Sequence, residues 1–130
     1  MSTPDFSQNT ALVVDDDEFS RELVESVLYS IGVGTVWTAA EHESAMSIAR
    51  IHKPDFVLLD IYMPDKDGWE VFDQIRRRLP DTAIIMITGS NLPADFGKSM
   101  GKNVDGYCIK PVLPDVMRKL LHTAQERHSH

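Results

Sequence analysis

Cysteine is nearly missing from this chain. Cys108 is the only one in 130 residues, so no internal disulfide can form. A lone thiol fits a reducing compartment. Long apolar runs are missing too: none approaches the roughly 18 residues of a membrane span. The N-terminal MSTPDFSQNT lacks the basic-then-apolar pattern of a secretory leader. The chain therefore reads as cytoplasmic, with no membrane partner. Cations are scarce, with 13 Lys and Arg against 20 Asp and Glu and a net charge of −7. That balance excludes the basic surface a nucleic-acid binder needs. It suits a chain that gathers carboxylates around a cation.

What is present is ordinary for a soluble globular domain, at 42% hydrophobic and 25% charged residues. The length predicts one domain with a sizeable core. Its most informative stretch is Asp55–Gly68, DFVLLDIYMPDKDG. Phe56 to Leu59 are all apolar and run straight into Asp60. Such a run predicts a strand buried on both faces of a parallel sheet. Residues 11–14 (ALVV) and 83–87 (AIIMI) repeat the pattern. Residues 35–39 (TVWTA) and 107–109 (YCI) are shorter strand candidates.

Helical periodicity fills the intervals. Phe19, Leu23, Val24, Val27, Leu28 and Ile31 predict an amphipathic helix capped by one of Asp15–Asp17 and stopped at Gly32. A second helix runs from Glu41 to about His52, with Ala45, Met46, Ile48 and Ala49 inward, and Pro54 bars its continuation. Asp67 and Glu70 have capping-box spacing ahead of Val71, Phe72, Ile75 and Leu79. Leu92, Phe96 and Met100 predict a weaker helix within 91–103, broken by Gly97 and Gly101 and ended at Asn103. A last helix starts near Pro114, with Val116, Met117, Leu120, Leu121 and Ala124 inward. Five strand–helix units predict a (βα)5 doubly wound α/β domain, with a five-stranded parallel sheet and helices on both faces. The expected limits are a flexible lead-in at 1–9, the domain at 10–126 and a polar tail at 127–130.

Chemistry-bearing residues collect at the strand ends, where open parallel sheets place their ligands. Asp15-Asp16 follow the first strand, Asp60 ends the third, Thr88 the fourth, and Lys110 follows the fifth. Crowded carboxylates repel unless protonated or neutralised. An oxygen-only set favours a hard cation, Mg²⁺ with Mn²⁺ as a substitute. A carboxylate nucleophile, a metal and a fixed ammonium are what phosphoryl transfer to an aspartate needs.

Blander readings stand beside these. Asp15–Asp17 can be a helix cap. Arg76-Arg77-Arg78 reads as a solvated helix end that complements the macrodipole, not as a binding patch. Cys108 reads as an inert core thiol. Trp37 and Trp69 read as packing residues, and the five histidines show no ligand spacing to one another.

The motifs LVVDDD (12–17), LLDIYMPDKDG (58–68), IIMITGS (84–90) and YCIKPV (107–112) together resemble the receiver domain of two-component response regulators. The resemblance spans about Thr10 to Gln125. It implies the flavodoxin-like strand order 2-1-3-4-5. It also implies that Asp60 is the phosphoacceptor. Asp15, Asp16 and Asp60 would be the metal residues, with the Tyr62 carbonyl as a further ligand. Thr88 and Lys110 would act on the phosphoryl group, and Lys110–Pro111 would be cis. Thr88 and Tyr107 would form the switch, and Gly68 would permit a sharp loop behind the site. Tyr62 and Ser90 sit where members vary, and would tune phosphoryl lifetime. The glycine-broken segment 91–103 departs from the Ala-rich helix typical of the family.

The function so implied is a phosphorylation-dependent signalling switch, not an enzyme with a separate substrate. A histidine kinase or histidine phosphotransfer domain donates to Asp60, and a surface around residues 88–113 changes. The reader would be an unknown downstream protein or an output domain outside these residues. Two alternatives are weaker. Asp15-x-Asp17 also fits a haloacid-dehalogenase-like phosphatase, but Phe19 is wrong for that motif and the chain is short. A pseudo-receiver binding module conflicts with five intact site positions.

Overall fold

The expected apolar runs occupy the middle of one sheet. The computed structural model describes residues 4–63, 67–89 and 102–128. Its strands are β1 (Thr10–Val14), β2 (Thr35–Ala39), β3 (Phe56–Asp60), β4 (Ala83–Thr88) and β5 (Gly106–Ile109). All pairs are parallel, in the order β2-β1-β3-β4-β5. Among the described residues there are four helices, α1 (Glu18–Ser30), α2 (His42–His52), α3 (Gly68–Arg78) and α4 (Pro114–Arg127). The helix expected within 91–103 and Ser90 lie outside the described residues, apart from Lys102 and Asn103, which are not helical.

The two-residue period of a strand splits the apolar runs between two cores. Val13, Leu58, Ile85 and Ile87 pack with Val24 and Leu28 of α1 and with Met117 and Leu121 of α4. Leu12, Val57, Leu59 and Met86 pack with Ala45 and Ala49 of α2 and with Val71, Phe72 and Ile75 of α3. Both faces of β3 and β4 are thus covered, so their sequences show no polar alternation. Each fully buried Leu or Ile contributes about 1.5–3 kcal/mol.

Local signals set the helix ends. The Asp17 carboxylate accepts the Ser20 N–H at 2.9 Å and caps α1. The chain turns away at Gly32, whose φ of 101° favours glycine. Asp67 caps α3 by accepting from Trp69 N at 2.9 Å. Pro114 lies in the first turn of α4.

Three apolar residues expected inward face out instead: Phe19 is 76%, Leu23 40% and Val116 45% exposed. Phe19 and Val116 lie in the first turns of α1 and α4. Leu23 flanks the stripe that α1 buries through Val24, Val27 and Leu28.

Two polar segments are also held more tightly than expected. In the lead-in, Phe6 is buried edge-on against Phe56 with ring centroids 6.1 Å apart. Asn9 accepts a hydrogen bond from Gln125 at 3.1 Å. The arginine run is not a solvated helix end throughout. Arg77 and Arg78 are exposed, but Arg76 donates to the carbonyls of Pro80, Thr82 and Asn103 and lies 2.8 Å from Asp105 Oδ2. The Asp105 side chain is fully buried. It also accepts from Ile84 N at 2.8 Å and pairs with His128 Nε2 at 2.7 Å. A buried carboxylate needs a cation and donors, and this one takes them from α3 and from the residue after α4. Arg76→Ala should therefore destabilise the fold by about 3 kcal/mol, while Arg77→Ala should stay within about 0.5 kcal/mol of the parent. Urea unfolding of the two variants separates them, and equal losses would contradict the buried pair.

Candidate functional site

Parallel register fixes which side chains meet. Val14 of β1 lies beside Leu59 of β3, so Asp15 emerges next to Asp60. Asp60 pairs with Ile87 of β4, and Thr88 with Ile109 of β5. Lys110 is the next residue. All of them therefore open on the same edge of the sheet.

Lys110 is the centre of the cluster. Its Nζ lies 3.1 Å from Asp15 Oδ2 and 3.3 Å from Asp60 Oδ2. Asp60 Oδ1 accepts the Tyr62 N–H at 3.1 Å. Asp15 Oδ1 accepts the Asp17 N–H at 2.9 Å. Asp15, Asp60 and Thr88 are buried, whereas Asp16 is exposed. One carboxylate oxygen from each of Asp15, Asp16 and Asp60 falls in a group whose members lie within 4.8 Å of one another.

Proximity separates the acidities of the two buried carboxylates. Burial pushes the Asp60 carboxyl up to about 6, and the neighbouring Asp15 charge adds to this against the opposing pull of Tyr62 N–H and Lys110. Burial opposes ionisation of Asp15 too, but hydrogen bonds from Ser20, Asp17 and Lys110 outweigh it and hold Asp15 below the usual carboxylate range. Lys110 is held above its ordinary value, because Asp60 and Asp15 outweigh its desolvation. The Asp60 carboxylate thus lacks sufficient positive charge in the protein alone. Three converging carboxylates with oxygen-only donors fit a hard divalent cation.

The other expected residues fall as follows. Tyr62 is 53% exposed, and its backbone forms an isolated bridge with Asp67. Tyr107 is half-buried, its hydroxyl is buried, and its ring packs against the core beneath α2 and α3. Thr88 accepts the Lys110 N–H on its carbonyl at 2.7 Å. Lys110–Pro111 is cis. Ser90 lies outside the described residues. Cys108 is buried, and burial pushes its thiol up. Asp17, required by the phosphatase alternative, is used as the cap of α1.

Gly68 is needed for closeness and not for a special φ. A Cβ there would lie 2.5 Å from the Asp60 carbonyl oxygen and 2.7 Å from Ile61 Cα. Two residues near the site were not picked out from the sequence: Ser20, which helps hold the Asp15 carboxyl low, and Arg21, whose Nη1 donates to the Asp15 carbonyl at 2.8 Å. The available signal was their place one turn after the acidic run, on the first turn of a helix read only for its apolar stripe.

Comparison with known proteins gives a consistent result. The family model described as the response regulator receiver domain matches residues 11–122. A probable transcriptional regulator, ycf27, of Cyanophora paradoxa is 32% identical over 95% of this chain and 51% of its own length. The nitrate/nitrite response regulator protein NarL of Escherichia coli is 29% identical over 88% of this chain and 54% of its own. The chain thus spans about half the length of the curated relatives it matches. Among solved structures, a CheY-like receiver domain protein from Methanospirillum hungatei superposes with a TM-score of 0.83 at 26% identity, covering 93% of this chain and 97% of the other. Vibrio cholerae chemotaxis protein CheY4 gives 0.82 at 27% identity, covering 89% and 98%. No described helix is long and apolar enough to cross a membrane.

In metal-free protein the folded state keeps a proton on Asp60 up to about pH 6, whereas an unfolded aspartate releases it near 3.8. Between those values the folded state binds more protons, so stability falls as pH rises through that window. Asp60→Asn should remove the fall and exceed the parent by roughly 1–3 kcal/mol at pH 7 with chelator present. Urea melts at pH 4 and 7 test this, and a parent that grows more stable from pH 4 to 6 through this residue would refute it. Gly68→Ala should cost about 1–3 kcal/mol and weaken divalent-cation binding, because the Asp60–Ile61 backbone has to move.

Proposed function

The chain belongs to the response regulator receiver domain family, and from that membership we propose that Asp60 is the phosphoacceptor of its phosphorylation-dependent switch. The family is one of signalling domains rather than enzymes acting on a separate substrate. A receiver implies a phosphodonor, and a histidine kinase or histidine phosphotransfer domain fills that role. The observation that carries the reading is the placement of Lys110 Nζ within 3.1 and 3.3 Å of two buried carboxylates beside a third.

The chemistry balances with few parts. An Asp60 carboxylate oxygen attacks the phosphorus of a phosphohistidine. A P–O bond forms, the P–N bond breaks, and the imidazole leaves with the bonding pair. Asp60 Oδ1 is oriented by Tyr62 N–H, which leaves Oδ2 as the oxygen facing Lys110. As the phosphoryl group arrives, Lys110 transfers its ion pair to the incoming oxygens, and the Thr88 hydroxyl donates to another. Asp15, Asp16 and Asp60, with the Tyr62 carbonyl, would hold Mg²⁺ or Mn²⁺, which would supply positive charge to offset that of the carboxylates and the phosphoryl oxygens. Hydrolysis of the acyl phosphate by water resets the domain.

The readout follows from where these residues sit. Thr88 ends β4 and Tyr107 is in β5, paired with Met86. Drawing Thr88 toward a phosphoryl oxygen opens room into which Tyr107 can turn further. The surface around residues 88–113 is therefore the changing one, read by a downstream protein or by an output domain in a longer chain.

Incubation with Mg²⁺ and acetyl phosphate, followed by intact mass measurement, should show the gain of one phosphate, lost in Asp60→Asn. No gain, or a gain that survives that substitution, overturns the assignment. Tyr62 is exposed next to Asp60, and a bulky ring there would restrict the attacking water, so Tyr62→Ala should speed loss of the phosphoryl group several-fold. Unchanged or slower loss would remove Tyr62 from that role.

A further inference from the structure

Asp16 differs from its two partners in how it is held. Asp15 and Asp60 are buried, and their carboxylates take hydrogen bonds from Lys110 and from nearby backbone N–H groups. Asp16 is exposed, and no described donor holds its carboxylate. Its place in the acidic group must therefore come from the two peptides on either side of it.

Both of those peptides are pinned. The N–H of Asp17, on the peptide after Asp16, donates to Asp15 Oδ1 at 2.9 Å. The carbonyl of Asp15, on the peptide before Asp16, accepts from Arg21 Nη1 at 2.8 Å. The N–H of Asp15 is tied in turn to the Ala39 carbonyl at 3.1 Å, at the end of β2. Arg21 itself is in α1, whose first turn is fixed by the Asp17 cap. The arginine thus reaches back from the helix to a carbonyl that has already left the β1 ladder.

We infer that Arg21 is a positioning residue for the divalent-cation site: its bond to the Asp15 carbonyl sets the peptide plane that aims Asp16. The inference rests on the cation-binding reading of the site given above. Geometry and charge make opposite forecasts here. If Arg21 acted only as a nearby positive charge, removing it would strengthen cation binding, since like charges repel. If it acts by aiming Asp16, removing it weakens binding.

The test is Mg²⁺ titration by calorimetry on the parent, Arg21→Ala, Arg21→Met and Arg21→Lys. The alanine and methionine variants should bind Mg²⁺ about three- to ten-fold more weakly, the span for loss of one hydrogen bond of ordinary net strength. The lysine variant, which keeps a donor, should recover part of the loss. At saturating Mg²⁺ the rate of labelling by acetyl phosphate should return close to the parent's, so the defect appears in the Mg²⁺ dependence and not in the limiting rate. Alanine is a good helix former, and Arg21 is half-exposed, so the folded state should persist; thermal melts check this. Unchanged or tighter Mg²⁺ binding in Arg21→Ala and Arg21→Met overturns the inference while leaving the cation site intact. A parent that binds no Mg²⁺ overturns both.

Discussion

Lys110 has to satisfy two carboxylates at once, and the rest of the site depends on that shortfall. Its ammonium lies 3.1 Å from Asp15 and 3.3 Å from Asp60. One positive charge cannot neutralise two buried negative ones with a third close by, and the protein divides the deficit unequally. Asp15 has Ser20 and Asp17 as well and is held below the usual carboxylate range, while Asp60 has, among the described residues, the Tyr62 N–H besides the lysine and is pushed upward by burial. The carboxylate left less satisfied is Asp60, at the end of β3. A divalent cation held by the three carboxylates would complete the charge balance. The site is therefore strained in charge rather than in backbone.

Holding such a cluster together requires a support that does not yield, and the parallel sheet provides it. Register places Asp15 beside Asp60, and Thr88 beside Ile109 and Lys110. Each of these residues stands at the end of a strand whose apolar side chains are committed to one core or the other. A one-residue slip in any strand would exchange its two faces and bury the wrong set. Hydrophobic burial thus fixes where the strand ends meet, and contacts within the site, such as Arg21 on the Asp15 carbonyl, set the finer aim. Gly68 extends this support behind Asp60, where the start of α3 packs so closely on the Asp60–Ile61 backbone that a Cβ has no space.

The fold and the main site residues were legible because each left a strong local mark. Apolar runs ending in Asp60 and Thr88 marked doubly buried strands, and strand–helix alternation with register then brought the ends together. What was not legible came from long-range geometry. Arg76 looked like one of three equivalent arginines, and only the chain folding back distinguishes it, by bringing Asp105 within 2.8 Å. Phe19 and Val116 fit the helical stripe in sequence, but both are exposed in the fold. Gly68 looked like a turn glycine, because close backbone approach leaves no mark in the sequence. Arg21 acts on a backbone carbonyl, and residue types do not record backbone partners.

The opposite ends of β5 show why a change at the site can be directional. Just before the strand, Asp105 is tied to Arg76, Ile84 and His128, and Lys102 is tied to Asp73 at 2.8 Å. Asp105 is fully buried, so moving Arg76 would strand a buried carboxylate, whereas the Lys102–Asp73 pair is exposed. At the other end Lys110 is shared between two carboxylates. The strand therefore has satisfied charges at its base and contested ones at its tip. The displacement of Lys110 and Thr88 proposed above would act against the frame that the base ties to α3, β4 and α4. A switch needs both properties in one element, and here they are set by where the charges are satisfied and where they are not.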